Sequence, residues 1–360
     1  MTQGAPIVVK VGSSSLTAPD GGLSREAIAR VASSVEQLWQ HGHPTVLVTS
    51  GAVAAGLPVM KLAARPRDLP GLQVAAAVGQ GRLMTRYAEA FGERVVGQVL
   101  LTRDVLAHRA QYLHARQALE RMLGLGIVPI VNENDTVVVD ELKLGDNDRL
   151  AAIVSHLVGA GMLVILTDTK GLYSDDPRLA ESAELLSAVR HTDEILDELR
   201  LRSSKGVLGS GGVATKVSAA RMAAWSGVPT VIADAAEANV VMDAVGGRDV
   251  GTWVAPHTSA LTARKLWIAF GLPSHGAIAV DEGAASALTR RGSSLLAAGV
   301  TNLEGTFEAG VAVEVVDGTG ALIGKGLAGM SSRDLAAVLG EHSSVAGGEA
   351  IHRDDLVILV

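Results

Sequence analysis

The chain has 360 residues, 48% hydrophobic and only 3% aromatic, with 41 glycines, no cysteine and a net charge of -7. That length allows about two domains, with cores built mostly of Ala, Val and Leu. The negative charge argues against a nucleic-acid backbone as main partner, and the lack of cysteine excludes a disulfide framework, a thiol nucleophile and a Cys-type zinc site.

The N-terminal stretch "MTQGAPIVVKVG" has neither the charged start nor the long apolar run of a signal peptide. With the absence of cysteine, this leads us to expect a cytoplasmic protein. A strand is predicted over Ile7–Gly12, carrying Lys10 and running into Gly12 and three serines. Read alone, Lys10 is either exposed on an edge strand or buried against something anionic, since a buried ammonium needs a counter-charge. A helix starts after Ser24, with Ala27, Ile28, Val31, Val35, Leu38 and Trp39 on one stripe. Ser24 is its expected N-cap.

Further strands are predicted over Pro44–Ser50, Val95–Thr102, Ile127–Asn132, Met162–Asp168 and Val228–Ala233. Their continuous apolar runs suit strands buried on both faces, and their alternation with helical patterns points to a mostly parallel sheet covered by helices. Ser50 and Gly51 end the second strand. They form either an ordinary turn with Ser50 as N-cap or part of a ligand site at the carboxyl edge of the sheet. The stretch Leu150–Thr167 is uncharged, but Ser155, His156, Gly159 and Gly161 interrupt it. A helix followed by a buried strand explains it better than a membrane span.

"VNENDTVVVDELKLGDNDRLAA" (Val131–Ala152) gathers Glu133, Asp135, Asp140, Glu141, Asp146 and Asp148 with Asn132, Asn134 and Asn147. "VVVDELKLG" suits a hairpin and "GDND" a helix start, where acids are favoured by the macrodipole. The cluster as a whole suggests handling of a cation or an ammonium group. "GSGGVATK" (Gly209–Lys216) is a glycine loop with a trailing lysine that fails the P-loop pattern. A helix follows it and ends at Gly227.

After about Gly271 short strands take over, at Ala277–Val280, Gly310–Val316, Ala321–Gly326 and Leu356–Val360. They suggest a second, β-rich domain near the minimum self-supporting size. No histidine spacing of a metalloenzyme and no catalytic triad is present.

"VVKVGSSSL", "VTSGAVAAG", "AAAVGQGRLM", "VPIVNENDTV", "KLGDNDRLAA", "ILTDTKGLYSDDPR" and "GSGGVATKVSAA" follow one another as in the amino-acid kinase family. The chain resembles the branch of that family that acts on L-glutamate. The tail, with "GAIAVDEGAASALTRRGSSLLAAGV" and "HRDDLV", resembles a PUA domain. The resemblance implies an α/β fold: a three-layer αβα sandwich with a mostly parallel central sheet over 1–268, then a small β-rich PUA-like barrel over 275–360. It implies ATP-dependent phosphorylation of the γ-carboxylate of L-glutamate, giving γ-glutamyl 5-phosphate, the first step of proline biosynthesis, with Mg2+ accompanying ATP.

Carried over by motif, Lys10 and Lys216 contact the transferring phosphoryl group and Asp148 orients both. Ser50, Asp135 and Asn147 form the glutamate site. Lys10, Gly12, Thr167 and Asp168, with Ser210, Gly211, Gly212, Val213, Ala214, Thr215 and Lys216, form the nucleotide site. No residue is assigned as a metal ligand. The resemblance also implies a homo-oligomer (dimer or tetramer), proline as feedback inhibitor and glutamate-5-semialdehyde dehydrogenase as functional partner. The alternatives are another carboxylate or nucleotide kinase of the family, or an RNA-binding PUA protein. From His275 onward five basic residues face eleven acidic ones, an unfavourable field for RNA. A structural or regulatory role is expected for that segment.

Overall fold

The computed structural model describes residues 4–18, 21–62, 65–137, 147–180, 182–204, 212–339 and 348–360, without the side chains of 103–104 and 201–204. The predicted hairpin over "VVVDELKLG" lies almost wholly outside them, as do Ser210 and Gly211. By internal contacts the chain divides into two compact units, Met1–Ala260 and Leu261–Val360.

The first unit is built on eight strands: β1 (Ile7–Val11), β2 (Thr45–Thr49), β3 (Val96–Leu101), β4 (Val128–Glu133), β5 (Met162–Thr167), β6 (Ala188–Arg190), β7 (Thr230–Asp234) and β8 (Thr252–Ala255). They form one sheet in the order β3-β4-β2-β1-β5-β7-β8-β6. Neighbours are parallel except β7 and β8. The helices are α1 (Ser13–Leu16), α2 (Arg25–Gln40), α3 (Ala52–Gly56), α4 (Leu69–Phe91), α5 (Arg109–Gly124), α6 (Asn147–Val158), α7 (Glu194–Ser204), α8 (Val213–Trp225) and α9 (Val240–Val245).

Apolar continuity marks the central strands correctly: every residue of β1, β2, β4 and β5 is buried. The same reading fails for Val95–Thr102. That run forms β3, an edge strand with Gln98 and Leu100 exposed. An apolar run reports burial only where both neighbouring strands and both covering layers exist. Alternation sorts β1 between the layers. Ile7, Val9 and Val11 join the core shared with α2, α4 and α9, so Val8 and Lys10 face the opposite side, where α6 packs on β1 and α8 on α6. Ser24 caps α2 by accepting a hydrogen bond from Ala27 N at 3.2 Å.

The second unit has a helical turn over α10 (Ala263–Leu266) and the strands β9 (Ala277–Val280), β10 (Leu295–Leu296), β11 (Val300–Glu304), β12 (Ala312–Val316), β13 (Leu322–Leu327), β14 (Glu349–Ile351) and β15 (Leu356–Ile358). Five of them form a sheet ordered β11-β9-β12-β13-β15, and β10 pairs with β14. Ile278, Leu295, Val313 and Ile351 share one core, so the two sheets enclose a common apolar interior. The turn between β12 and β13 is set by Asp317, whose Oδ1 accepts from the backbone N of Thr319 and Ala321.

Candidate active site

The carboxyl ends of β1, β2, β4 and β5 and the N-terminal turns of α6 and α8 lie along one edge of the parallel sheet, where open α/β sheets bind ligands. Lys10 is the fourth residue of β1, paired with Val48 of β2 and Ile165 of β5. It is central and 2% exposed, which rules out an exposed edge-strand lysine. Its Nζ lies 2.5 Å from Asp148 Oδ1. Lys216, in the first turn of α8, lies 3.4 Å from Asp148 Oδ2, and Thr215 Oγ1 donates to the same oxygen at 2.7 Å.

Asp148 is fully buried. Burial by itself would raise its pKa, but the charges of Lys10 and Lys216 and the hydrogen bonds from Lys10 and Thr215 hold it at about 2. Burial draws the Lys216 ammonium below its ordinary value. Asp148 opposes that shift and Lys10 adds to it. One carboxylate is therefore shared by two buried ammonium groups, and Lys216 has the longer contact. Such a group is stable only where further negative charge or hydrogen bonding compensates it. Gly12 keeps the space beside Lys10 open: a Cβ there would stand 3.4 Å from Lys10 Nζ.

A second cluster adjoins the first. Asn147 Nδ2 lies 2.6 Å from Thr49 O, 3.0 Å from Ser50 Oγ and 2.8 Å from Asn132 Oδ1. Ser50 is therefore an acceptor for Asn147. Gly51, at φ 104°, takes the N-cap position of α3, with no side-chain cap, so the ordinary reading of Ser50 as N-cap does not hold. Thr49 Oγ1 and Tyr87 OH are 2.7 Å apart, buried, and tie β2 to α4. Asp135 opens the turn after β4 and is 9% exposed. Burial first, then the Glu133 charge, push its carboxyl up to about 7, while Arg65 pulls it down.

The structure thus brings Lys10, Asp148, Thr215 and Lys216 into one cluster and Ser50 and Asn147 into the next. Thr167 and Asp168 stand at the end of β5, joined by a 3.2 Å hydrogen bond, and the Asp168 charge acts on Lys216. Gly212 is the N-cap of α8, and Val213 and Ala214 begin that helix. Sequence reasoning gave no role to Gln80, Tyr87 or Thr49. For Asn132 and Gln80 the signal was present, since both lie in stretches that carry the family resemblance. Tyr87 is one apolar position among many in a helix. Among the described residues no three His, Asp or Glu side chains converge to hold a metal ion. Among them, too, no helix is long and apolar enough to cross a membrane.

A model of the Amino acid kinase family matches residues 5–234, and a PUA domain model matches residues 276–345. The solved carbamate kinase from Giardia lamblia bound to AMP-PNP superposes with a TM-score of 0.52 at 16% identity, covering 71% of this chain and 100% of that one. At that identity the likeness concerns the fold. Fold and family model together define a kinase. Glutamate 5-kinase of Geobacter sulfurreducens is 43% identical, over 98% of this chain and 97% of that relative. The Marinomonas sp. protein of the same name is 44% identical over 98% and 97%, and that of Frankia casuarinae 45% identical over 100% and 98%. The chain belongs to the amino acid kinase family, and within it to the glutamate 5-kinases.

Proposed function

We infer that the protein transfers the γ-phosphoryl group of ATP to the γ-carboxylate of L-glutamate, giving γ-glutamyl 5-phosphate for proline biosynthesis. The observation that carries the mechanism is the pair of buried lysines on a single aspartate. Glutamate is already ionised at neutral pH, so no general base is needed. The obstacle is repulsion between a carboxylate and a polyphosphate, and catalysis consists of alignment and charge neutralisation. Lys10 and Lys216 carry one more positive charge than Asp148 balances, in a buried site where that charge is strongly felt. Asp148 holds the two ammonium groups on either carboxylate oxygen, and Thr215 fixes the second oxygen. This suits in-line transfer with charge spread over the phosphoryl oxygens.

Ser50, Asn147 and Asp135 supply the acceptor site in this reading. Asp135 is the group for the substrate's ammonium, which would add positive charge beside a buried carboxyl that Arg65 offsets less than burial and Glu133 do. Thr167, Asp168 and the N-terminal turn of α8 serve the nucleotide. ATP supplies the phosphoryl group, and magnesium would accompany it. The acyl phosphate is labile, which calls for a reductase such as glutamate-5-semialdehyde dehydrogenase to consume it. The test is ADP release with L-glutamate, ATP and Mg2+, with the acyl phosphate trapped by hydroxylamine, with and without proline. Glutamate-dependent ADP release with a trapped hydroxamate is expected. Turnover only with carbamate, aspartate, acetylglutamate or a nucleoside monophosphate as acceptor would refute the reading.

A further inference from the structure

Gln80 lies on α4, next to Gly79, whose Cα comes so close to α3 that a Cβ there would stand 1.8 Å from Ala52 O. Its side chain ends a chain of three amides. Asn147 Nδ2 donates to Thr49 O, an atom that only accepts, so the orientation of the Asn147 amide is fixed. Asn132 Oδ1 accepts from Asn147 Nδ2 and from Glu133 N, an atom that only donates. Asn132 must therefore turn its Nδ2 to Gln80, whose Oε1 accepts at 2.8 Å. Amide orientations are assigned from hydrogen-bond networks, and here backbone atoms fix the whole chain at two points.

The fixed polarity leaves two buried atoms without a hydrogen-bond partner among the described residues: Asn147 Oδ1, an acceptor, and Gln80 Nε2, a donor. Buried polar groups are rarely left unpaired, and such groups call for an explanation. The two are joined through Asn132 at the acceptor site. A ligand that satisfies both must offer a donor to Asn147 Oδ1 and an acceptor to Gln80 Nε2, as the ammonium and carboxylate of an α-amino acid do.

We propose that Gln80 is a specificity-determining residue of the acceptor site: its Nε2 donates to the α-carboxylate of an α-amino acid whose ammonium meets Asn147 Oδ1. Asp135 takes another of the three ammonium hydrogens. This rests on the reading of the acceptor as L-glutamate. It explains why an uncharged side chain that fills no apolar core position is held by Asn132 in one orientation.

The test is calorimetric titration of the full-length protein and its Gln80→Glu and Gln80→Met variants with L-glutamate and with 4-aminobutyrate, which lacks the α-carboxylate. It is combined with KM for ATP. Gln80→Glu keeps an acceptor for Asn132 but removes the donor, and Gln80→Met removes both without adding charge. Both variants should bind L-glutamate about tenfold or more weakly, as for a lost hydrogen bond to a charged group. Affinity for 4-aminobutyrate and KM for ATP should stay near the wild-type values. Glutamate affinity within about twofold of wild type, or an equal loss for both ligands, overturns the role of Gln80. So does a parallel rise in KM for ATP. Failure of the wild type to bind L-glutamate overturns this inference and the proposed function together. Binding without turnover overturns only the latter.

Discussion

Lys10 Nζ and Asp148 Oδ1 are 2.5 Å apart, and the two side chains are 3% and 1% exposed. The lysine comes from a central strand of the mostly parallel sheet and the aspartate from the second residue of a helix packed on its face. Lys216 completes the group from a third element, so the charge balance of the site depends on β1, α6 and α8 being correctly packed.

Removing either lysine should abolish most turnover and leave the fold intact. Lys10→Ala and Lys216→Ala each take away charge from the transition state, on the scale of about 3–4 kcal/mol known for lost oxyanion donors. In each variant Asp148 retains the other lysine and Thr215 as partners. Steady-state kinetics beside circular dichroism check this, and near-normal kcat in either variant would remove the lysines from the mechanism.

Asp148→Asn should be destabilising, because two buried ammonium groups would then face each other with no shared counter-charge. Breaking a buried pair in this way costs about 3–5 kcal/mol. The pH dependence follows from the depressed pKa. A carboxylate with a lowered folded pKa stabilises the fold above its unfolded value and loses that contribution as pH falls through the folded one. For Asp148 the window runs from the ordinary 3.8 down to about 2. Denaturant midpoints measured from pH 7 to pH 2 should show the gap between wild type and Asp148→Asn shrinking only below about pH 4. A gap that stays constant would mean that Asp148 is not the ionised partner.

The sign is opposite for Asp135. Its folded pKa is raised from 3.8 to about 7, so between those values the native state holds a proton that the unfolded chain has released. The ligand-free fold loses this contribution as pH rises across that window. An ammonium ligand needs the ionised carboxylate, so glutamate affinity should strengthen as pH rises through about 7. Asp135→Asn should flatten both profiles and weaken glutamate binding at pH 8 by about tenfold or more. Glutamate titrations at pH 5.5, 7 and 8.5 decide it: a pH-independent affinity in wild type would contradict the ammonium role.

Gly79→Ala and Gly81→Ala form a matched pair on α4. A Cβ on Gly79 would meet Ala52 O at 1.8 Å and Gly56 N at 2.5 Å, whereas one on Gly81 meets nothing within 4 Å. Overpacking at Gly79 should destabilise by about 1–3 kcal/mol, and it should raise KM for glutamate because α3 carries the Ser50–Gly51 turn. Gly81→Ala should be neutral or stabilise by about 0.5–1 kcal/mol. Thermal melts of the two variants distinguish backbone contact from simple helix propensity.

The sequence by itself determined the central strands, the α2 and α8 helices, the β-rich tail and the residue types of the site. Apolar runs and helical stripes are local signals, and motifs such as "NEND" and "GSGGVATK" keep their identity in one dimension. Other features were decided only by tertiary structure. Whether Lys10 was an exposed lysine or a buried charge depended on β1 lying between β2 and β5 with Asp148 above it. Val95–Thr102 read as a doubly covered strand and became an edge, because strand order is not written in any one strand. Ser50 by itself read first as a cap, until Asn147 arrived from a distant helix and Gly51 took the left-handed position. The amide chain from Asn147 through Asn132 to Gln80 was the least legible feature. Its polarity is set by Thr49 O and Glu133 N, two backbone atoms that have no counterpart in residue identity, and it exists only when β2, β4, α4 and α6 meet.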